Sequence, residues 1–290
     1  NGALTQLSMD DARRFKLNTQ TERRRSLNGV WKFKLVKNPR LALTDFFKSS
    51  YDVSGWQDIN VPGSWELQGF DAPIYTDVTY PFKANPPFAP QDYNPVGHYV
   101  HEFTVPQDWN GMDVIMYFEG VESAFYLWIN GKMVGYSEDS RLPAHFDITK
   151  YLKKGTNRLA VKVFRFSDGS YLEDQDYWKY SGIERNVFIQ ARPKSRMNDY
   201  VLGNKLINQY KDGNFTLDVN MLHPQKGQKV EVKVLSATGK SLFKQIQSIT
   251  SPADTLIHFE KLLKNVQPWS AESPYLYTLV INTTDRNGRV

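Results

Sequence analysis

The chain has 290 residues, a formal net charge of +5 at pH 7 and no cysteine. A chain of this length is expected to form two domains, each with its own core, and without cysteine it forms no disulfide bond. One basic run, at residues 22–26, is too small for a nucleic-acid surface, and no apolar run reaches the roughly 20 residues of a membrane span. The first residues lack the basic region and hydrophobic run of a signal peptide, so none is expected.

Alternating apolar and polar residues predict β-strands along the first part of the chain. The alternation occurs in residues 30–36, 99–105, 113–118 and 159–164. Asn130-Gly131 separates two further apolar runs and is the strongest short signal for a hairpin. No window of convincing length has the period of a helix, and residues 141–152 hold at most a short helical turn, interrupted by Pro143. The chain is therefore predicted to be all-β.

Residues 65–95 differ from this pattern because they contain six prolines with asparagine, glycine and aromatic residues between them. Proline donates no hydrogen bond to a strand ladder, so the segment cannot be a central strand. Long ordered loops inside compact domains usually carry function. We expect this loop to wrap over one end of a pair of sheets.

The stretch from Ser167 to Val187 is the most informative part of the chain, because acidic and aromatic side chains directly follow a predicted strand. Its first fourteen residues hold the acids Asp168, Glu173, Asp174 and Asp176 and the rings of Tyr171, Tyr177, Trp178 and Tyr180. Carboxylates accept hydrogen bonds from sugar hydroxyls, flat rings pack against the apolar face of a pyranose, and a sheet holds such a loop still. The pattern favours a carbohydrate site. The alternative is a solvated turn whose rings fill the core.

Residues 192–198 are polar and basic without alternation, and we interpret them as a domain boundary. Strands are predicted beyond it at residues 215–221, 229–235, 241–245, 255–259 and 275–281. Short strands at this spacing predict an immunoglobulin-like sandwich. The two domains are accordingly placed at residues 1–193 and 194–290.

Most catalytic chemistry can be excluded from the motifs. No nucleophile elbow, phosphate loop or zinc-protease motif occurs. His98 and His101 are three apart in a predicted strand, so they face opposite ways and cannot share a metal. A glycosidase needs two carboxylates about 5 Å or about 6.5–9.5 Å apart across the bound sugar. Glu173, Asp174 and Asp176 are too close in sequence for that, so they are interpreted as substrate or cation ligands and no catalytic residue is assigned.

Several long sequence motifs occur in order along the chain. They include Val61-Pro-Gly-Ser-Trp-Glu-Leu-Gln-Gly69, Tyr75-Thr-Asp-Val-Thr-Tyr80, Asp168-Gly-Ser-Tyr-Leu-Glu-Asp-Gln-Asp176 and Pro268-Trp-Ser-Ala-Glu-Ser-Pro274. In this order they resemble the N-terminal part of the glycoside hydrolase family 2 β-galactosidases, and the resemblance spans nearly the whole chain. The third motif resembles the one found in the galactosidases of the family rather than those of its glucuronidases or mannosidases.

The resemblance implies a jelly-roll (galactose-binding-like) sugar-binding domain followed by an immunoglobulin-like β-sandwich that lacks its last strand. In this family a TIM barrel follows and carries both catalytic glutamates of a retaining mechanism. The chain is therefore expected to be the non-catalytic part of a β-galactosidase, inactive alone, which completes the substrate pocket and braces the barrel. The alternatives are a free-standing carbohydrate-binding module and the corresponding part of a family 2 β-glucuronidase or β-mannosidase.

The same resemblance implies the site residues. Asp176 matches the aspartate that contacts galactose and helps to hold sodium. Asp77 and Val78 match substrate-contact positions, although Asp77 stands where the best-known members have asparagine. For magnesium, Asp168 and Glu138 match ligand positions, with Glu138 in place of a glutamine. The N-terminal contributors to the magnesium site would be Asn1 and Leu4.

The implied cofactors are sodium and magnesium in the full-length enzyme. The implied partners are a β-galactoside substrate and the C-terminal TIM barrel of the same protein. No nucleic acid or membrane is expected as a partner. Family members are commonly dimers or tetramers, so a homo-oligomer is also an expectation. A soluble bacterial protein of the cytoplasm or the periplasm fits these features, and the sequence does not choose between the two compartments.

Overall fold

The computed structural model describes residues 23–286. Contacts between Cα atoms divide this part of the chain into two compact units, residues 23–192 and residues 193–286. Each unit is described by itself below.

The first unit consists of short antiparallel strands joined by turns. Its strands are β1 (Arg24–Ser26), β2 (Gly29–Val36), β3 (Gln57–Val61), β4 (Gly63–Ser64), β5 (Ile74–Thr76), β6 (Val96–Thr104), β7 (Asp113–Phe118), β8 (Val121–Glu122), β9 (Ala124–Ile129), β10 (Lys132–Glu138), β11 (Ala144–Asp147), β12 (Thr156–Phe164), β13 (Tyr177–Lys179), β14 (Gly182–Ile183) and β15 (Val187–Arg192). Helical turns occur at Pro39–Leu41, Glu66–Gln68, Gln107–Trp109, Thr149–Tyr151 and Ser170–Glu173. Pairing between strands therefore dominates this unit.

Two sheets form the sandwich of the first unit. The larger has the strand order β10-β9-β12-β6-β2-β3 and the smaller has the order β1-β15-β7-β11. Alternate side chains of each strand enter the core between them; on β12 these are Leu159, Val161 and Val163, all fully buried. Burying an aliphatic side chain of this size contributes about 1.5–3 kcal/mol, so the alternation seen in the sequence is what holds the sheets together.

The outer face of the larger sheet is covered by the segment between β2 and β3. Phe46, in the segment between β2 and β3, packs against Trp128 and against the ring of His98. His98 Nε2 accepts a hydrogen bond from the amide of Leu43, and burial lowers the pKa of His98 to about 4. His101 instead stacks on Trp31 of the core. The prediction that the two histidines face opposite ways is confirmed.

The structure adds two short strands to the prediction for the first unit. Residues 141–152 hold the short helical turn that was expected, at Thr149–Tyr151, and strand β11 precedes it and pairs with β7. The proline-rich loop contains the short strand β5, which pairs with β13. Pro73 precedes this strand and Pro81 follows it, so no proline interrupts its ladder.

The second unit is a sandwich of two three-stranded sheets. Its strands are β16 (Arg196–Ile207), β17 (Asp212–Leu222), β18 (Lys229–Leu235), β19 (Ser241–Ser248), β20 (Leu256–Leu263) and β21 (Thr278–Thr284). The sheet orders are β16-β17-β20 and β19-β18-β21. Its core includes Leu217, Val232 and Phe259, which are fully buried. In the described part of the chain β21 has one strand neighbour, β18, so it forms a sheet edge.

The predicted fold class is confirmed: the chain is all-β, with a jelly-roll sandwich followed by an immunoglobulin-like one. Strand β16 was missed, because the segment that begins it was interpreted as a boundary. The last strand was placed three residues too early, since β21 begins at Thr278. Within residues 23–286 the structure contains no helix long and apolar enough to cross a bilayer.

Candidate functional site

The site is built on a two-stranded ribbon formed by β5 and β13. The paired residues are Tyr177 with Thr76, Trp178 with Tyr75, and Lys179 with Ile74. Asp176 directly precedes β13 and Asp77 directly follows β5, so both aspartates lie at the same end of the ribbon, the tip, just beyond its last residue pair. The fold thus brings together two predicted substrate-site residues that are far apart in the sequence.

Two rings of this ribbon and two acids at its tip lie together. Directly opposed residues of an antiparallel pair share a face, so the rings of Tyr75 and Trp178 are on the same side. We call the surface formed by these two rings with Asp77 and Asp176 the acid–aromatic face. All four are exposed, and the rings of Tyr75 and Trp178 have centroids 5.5 Å apart. Acceptors for hydroxyl groups and apolar rings are therefore available side by side to a ligand.

Tyr75 fixes the orientation of Asp176. Its hydroxyl donates a hydrogen bond of 2.5 Å to Asp176 Oδ1, and this bond raises the pKa of Tyr75. One carboxylate oxygen is thereby held in place, while the other remains free to accept a hydrogen bond or to bind a cation. Val78 is 89% exposed at the same end of the ribbon, so its side chain contributes nothing to the core and is available for contact.

Arg165 lies beneath the base of the ribbon. It follows β12 directly, and its side chain is fully buried. Its Nη2 donates to the carbonyl oxygen of Ala72, which precedes β5, at 3.0 Å and to that of Lys179, which ends β13, at 3.2 Å. Its Nη1 donates to Asp71 Oδ2 at 2.6 Å. A single guanidinium therefore connects both strands of the ribbon to the main sheet.

Glu66 is a second carboxyl group at this arginine. Its Oε1 lies 3.5 Å from Arg165 Nη2, and its Oε2 accepts a hydrogen bond of 3.0 Å from the amide of Ser181. Because Asp71 makes the closer ion pair, Glu66 is left as a buried carboxyl with little compensation for lost hydration. Burial raises the pKa of Glu66 to about 7.

The structure corrects the interpretation of two acids of the segment that follows β12. Glu173 accepts hydrogen bonds from the amide and the hydroxyl of Ser140, at 2.9 and 2.6 Å. Asp174 Oδ1 lies 2.5 Å from Lys179 Nζ. Both carboxylates are therefore used to fold the loop, and Asp176 is the acid that this segment leaves exposed on the acid–aromatic face.

The aromatic residues of the segment divide in the same way. The hydroxyl of Tyr171 donates to the carbonyl of Phe88 at 3.0 Å and accepts from the amide of Asn85 at 2.9 Å. Its ring packs edge-on against Phe82. Tyr171 thus holds the proline-rich loop in place, which agrees with the alternative that the rings of this segment are structural. Trp178 is exposed, which agrees with the prediction of a binding site.

A small cavity beside this network does not fit a sugar. Its volume is about 20 Å³, and its lining includes Glu122, Arg165, Lys179 and Ser181. This volume admits about one water molecule. A sugar therefore does not fit in this cavity.

Two of the four predicted magnesium ligands, Asp168 and Glu138, lie in the described part of the chain. The hydroxyl of Tyr136 donates to Glu138 Oε2 at 2.7 Å; burial, Glu138 and the charge of Asp168 together raise the pKa of Tyr136. Asp168 and Glu138 are both exposed, and carboxylate oxygens are ligands that a hard cation prefers. Asn1 and Leu4 lie outside the described residues. In the described part of the chain no group of three or more His, Cys, Asp or Glu side chains is placed to hold a metal.

The sequence analysis missed Arg165, Glu66 and Asp71. The available signal was a charged residue between apolar ones, as in Val163-Phe-Arg-Phe166 and Ser64-Trp-Glu-Leu67. A charged residue in such a setting either faces solvent from a strand or is buried and paired, and the pattern does not choose between the two. The pattern gives no partner, because the three residues meet only in the folded unit.

Comparisons with known proteins agree with the fold. Residues 24–193 match the family described as "Glycosyl hydrolases family 2, sugar binding domain", and residues 195–290 match "Glycosyl hydrolases family 2". A β-galactosidase of Priestia megaterium is 42% identical over 275 residues, which are 91% of this chain and 27% of that protein. A β-galactosidase of Psychromonas ingrahamii is 39% identical over 94% of this chain and 27% of its own length. The chain thus spans 27% of the length of these relatives.

Solved structures share the architecture at lower identity. A β-glucuronidase of Bacteroides uniformis superposes with a TM-score of 0.71 at 21% identity, covering 92% of this chain and 31% of that one. A β-glycosidase of Bacteroides vulgatus gives a TM-score of 0.66 at 24% identity, covering 91% and 32%. At these identities the likeness shows the fold and leaves the substrate open.

Proposed function

The chain belongs to glycoside hydrolase family 2, and we propose that it is the N-terminal, non-catalytic part of a β-galactosidase. In the full-length enzyme it completes the pocket for a terminal non-reducing β-D-galactose residue and braces the catalytic barrel. The observation that carries this proposal is the acid–aromatic face, with Asp176 and Asp77 at the same end of the ribbon.

The choice of galactoside rests on the curated relatives. The two β-galactosidases described above are 42% and 39% identical to nearly the whole chain. The β-glucuronidase fold neighbour is 21% identical, a level that speaks for architecture alone. A glucuronidase or mannosidase parent therefore has less support and becomes an outcome of the test.

The chain itself acts by positioning. A sugar loses hydrogen bonds to water when it binds and needs replacements from several directions. Asp176 and Asp77 offer carboxylate oxygens from one side, and the rings of Tyr75 and Trp178 offer apolar contact. Holding the sugar in one orientation against reactive groups lowers the barrier, and a displacement of about 1 Å can cost about 100-fold in rate.

Bound cations are part of the same proposal. The carboxylate of Asp176 and the adjacent hydroxyl of Tyr75 are hard oxygen donors, which suit sodium, and Asp168 with Glu138 suits magnesium. Sodium beside Asp176 would supply positive charge to a sugar hydroxyl. The remaining ligands, the catalytic glutamates and any homo-oligomer contacts are assigned to the rest of the full-length protein.

Replacement of Asp176 by alanine in the full-length protein tests this function. We expect kcat/KM for an aryl β-galactoside to fall roughly 100-fold, because orientation of the sugar is lost. Circular dichroism and Tm should stay unchanged, since Asp176 is exposed.

Asp108→Ala, at another exposed aspartate of the same unit, is the matched control and should retain full activity. Near-normal turnover by Asp176→Ala contradicts the proposal. Turnover of an aryl β-glucuronide or β-mannoside in preference to the galactoside by the unaltered protein contradicts the substrate assignment.

A further inference from the structure

We propose that Arg165 is a positioning residue that sets the placement of Asp77 and Asp176 by clamping the base of their ribbon. The inference deepens the proposed function and rests on it where a sugar is concerned. The clamp itself is a structural claim that can be measured without any substrate.

The ribbon needs such a clamp because it is small. It has only three residue pairs, and an isolated two-stranded ribbon is marginally stable in water. Its tip carries Asp176 and its base carries Lys179, three residues further on, so base and tip are about 10 Å apart. A small rotation at the base is therefore carried along the ribbon to both aspartates.

Arg165 is suited to hold the base because its own position is rigid. It follows β12, an inner strand of the six-stranded sheet, and its amide donates to the carbonyl of Pro95 at 2.9 Å. The planar fork of its guanidinium reaches the carbonyl of Ala72 on one strand and that of Lys179 on the other. A lysine would keep the charge but lacks a second, divergent set of donors.

The ionic partners keep the fork in one orientation. Asp71 accepts from Nη1 at 2.6 Å, and the hydroxyl of Tyr93 donates to Asp71 Oδ1 at 2.8 Å. Burial and the bond to Asp71 raise the pKa of Tyr93 to about 12, so this hydroxyl stays a donor throughout the range of enzyme assays. Arg165 thus has hydrogen-bond partners on both terminal nitrogens, and rotation would break several bonds at once.

The experiment compares two kinds of arginine replacement in the full-length protein. Arg165→Lys keeps the charge and Arg165→Met removes it. Arg158→Met is the matched control: Arg158 is also buried and lies on β12, the strand that Arg165 follows, but it donates to the carbonyl of Phe46. Phe46 covers the outer face of the larger sheet, away from the ribbon.

Hydrogen exchange gives the readout that does not depend on activity. In Arg165→Lys we expect amides of residues 72–79 and 174–181 to exchange at least about tenfold faster, with core strands unaffected. Arg158→Met should leave those two segments unchanged. Unaltered exchange in both segments, or faster exchange spread evenly over the first unit, overturns the proposal.

Kinetics give the second readout. In Arg165→Lys we expect KM for an aryl β-galactoside to rise roughly 10- to 100-fold at a temperature where the variant is folded. The losses in Arg165→Lys and Asp176→Ala should not add in the double variant, because both act through the same contact. Faster ribbon exchange with unchanged KM refutes the positioning role, whereas unchanged turnover in Asp176→Ala refutes the proposed function itself.

Discussion

At the scale of single residues, each of two buried carboxyl groups, Glu66 and Glu122, shares its arginine with a second acid. Arg165 lies against Glu66 and the half-buried Asp71. The exposed Arg141 lies 2.8 Å from Glu122 Oε2 and 3.2 Å from Glu184 Oε2. A shared cation does not fully compensate a buried carboxylate for its lost hydration. Burial, with the charge of Glu184 next, raises the pKa of Glu122 to about 8.

The pH dependence of stability follows from this shift at Glu122. Below its ordinary pKa of 4.5 both folded and unfolded chains carry the proton, and no penalty arises. As the pH rises from 4.5 towards 8, the unfolded chain releases the proton while the folded chain keeps it, so the free energy of unfolding falls.

Glu122→Gln removes this slope. We expect it to be more stable than the unaltered protein at pH 8 by about 1 kcal/mol, or roughly 2–4 °C in Tm, and to match it at pH 5. Scanning calorimetry at both pH values measures the effect, with the exposed Glu102→Gln as control. Equal Tm differences at the two pH values would mean that Glu122 is ionised in the folded protein at neutral pH.

At the scale of strands, β6 has no room for an added side-chain atom at Gly97. It lies between β12 and β2, and Gly97 brings its backbone close to two core rings. A Cβ at Gly97 would lie 2.6 Å from Trp65 Cζ3 and 2.9 Å from Phe33 Cε2, far inside contact distance. Both rings are fully buried, so neither can swing into solvent.

We therefore expect Gly97→Ala to destabilise the first unit by about 1–3 kcal/mol through overpacking. Urea unfolding followed by tryptophan fluorescence measures this loss. Gly55→Ala is the control, because a Cβ there meets nothing within 4 Å. If both alanine variants unfold at the same urea concentration, the close approach of β6 to these rings is not a constraint on the fold.

Strands were predictable where one face is buried and the pairing is regular. Strand β12 alternates cleanly because Leu159, Val161 and Val163 enter the core. Strand β16 was missed because it pairs on one side only, is largely exposed, and shifts register between Met197 and Asp199. Such a shift breaks the alternation on which the prediction depends.

The candidate site was predictable only in part for a related reason. The acid and aromatic composition pointed to the segment after β12, and the resemblance supplied Asp176 and Asp77. Residue spacing alone cannot tell that these two lie at the same end of one ribbon, because β5 and β13 are distant in sequence. The contacts of Arg165 could not be predicted for the same reason, since it meets Asp71 and Ala72 only in the folded chain.

At the scale of the whole molecule, the acid–aromatic face is one wall rather than a pocket. Asp77 and Asp176 lie at the same end of the ribbon. The two carboxylates of a retaining pair approach the sugar from opposite sides. Two acids on one face can bind hydroxyls or a cation, but they cannot serve as acid and nucleophile for the same bond.

The chain of 290 residues is therefore expected to have no glycosidase activity of its own. It should release no nitrophenol from an aryl β-galactoside, and calorimetry should show galactose binding weaker than about 1 mM, because a one-sided surface replaces few of the hydrogen bonds that the sugar makes with water. Glucuronate and mannose serve as comparison sugars, and Asp176→Ala serves as the control for binding at the acid–aromatic face.

Turnover by the isolated chain would place catalytic groups within it. Millimolar or tighter binding of galactose that Asp176→Ala abolishes would instead support a free-standing carbohydrate-binding module, in which the two rings and two acids suffice to hold a sugar without a barrel.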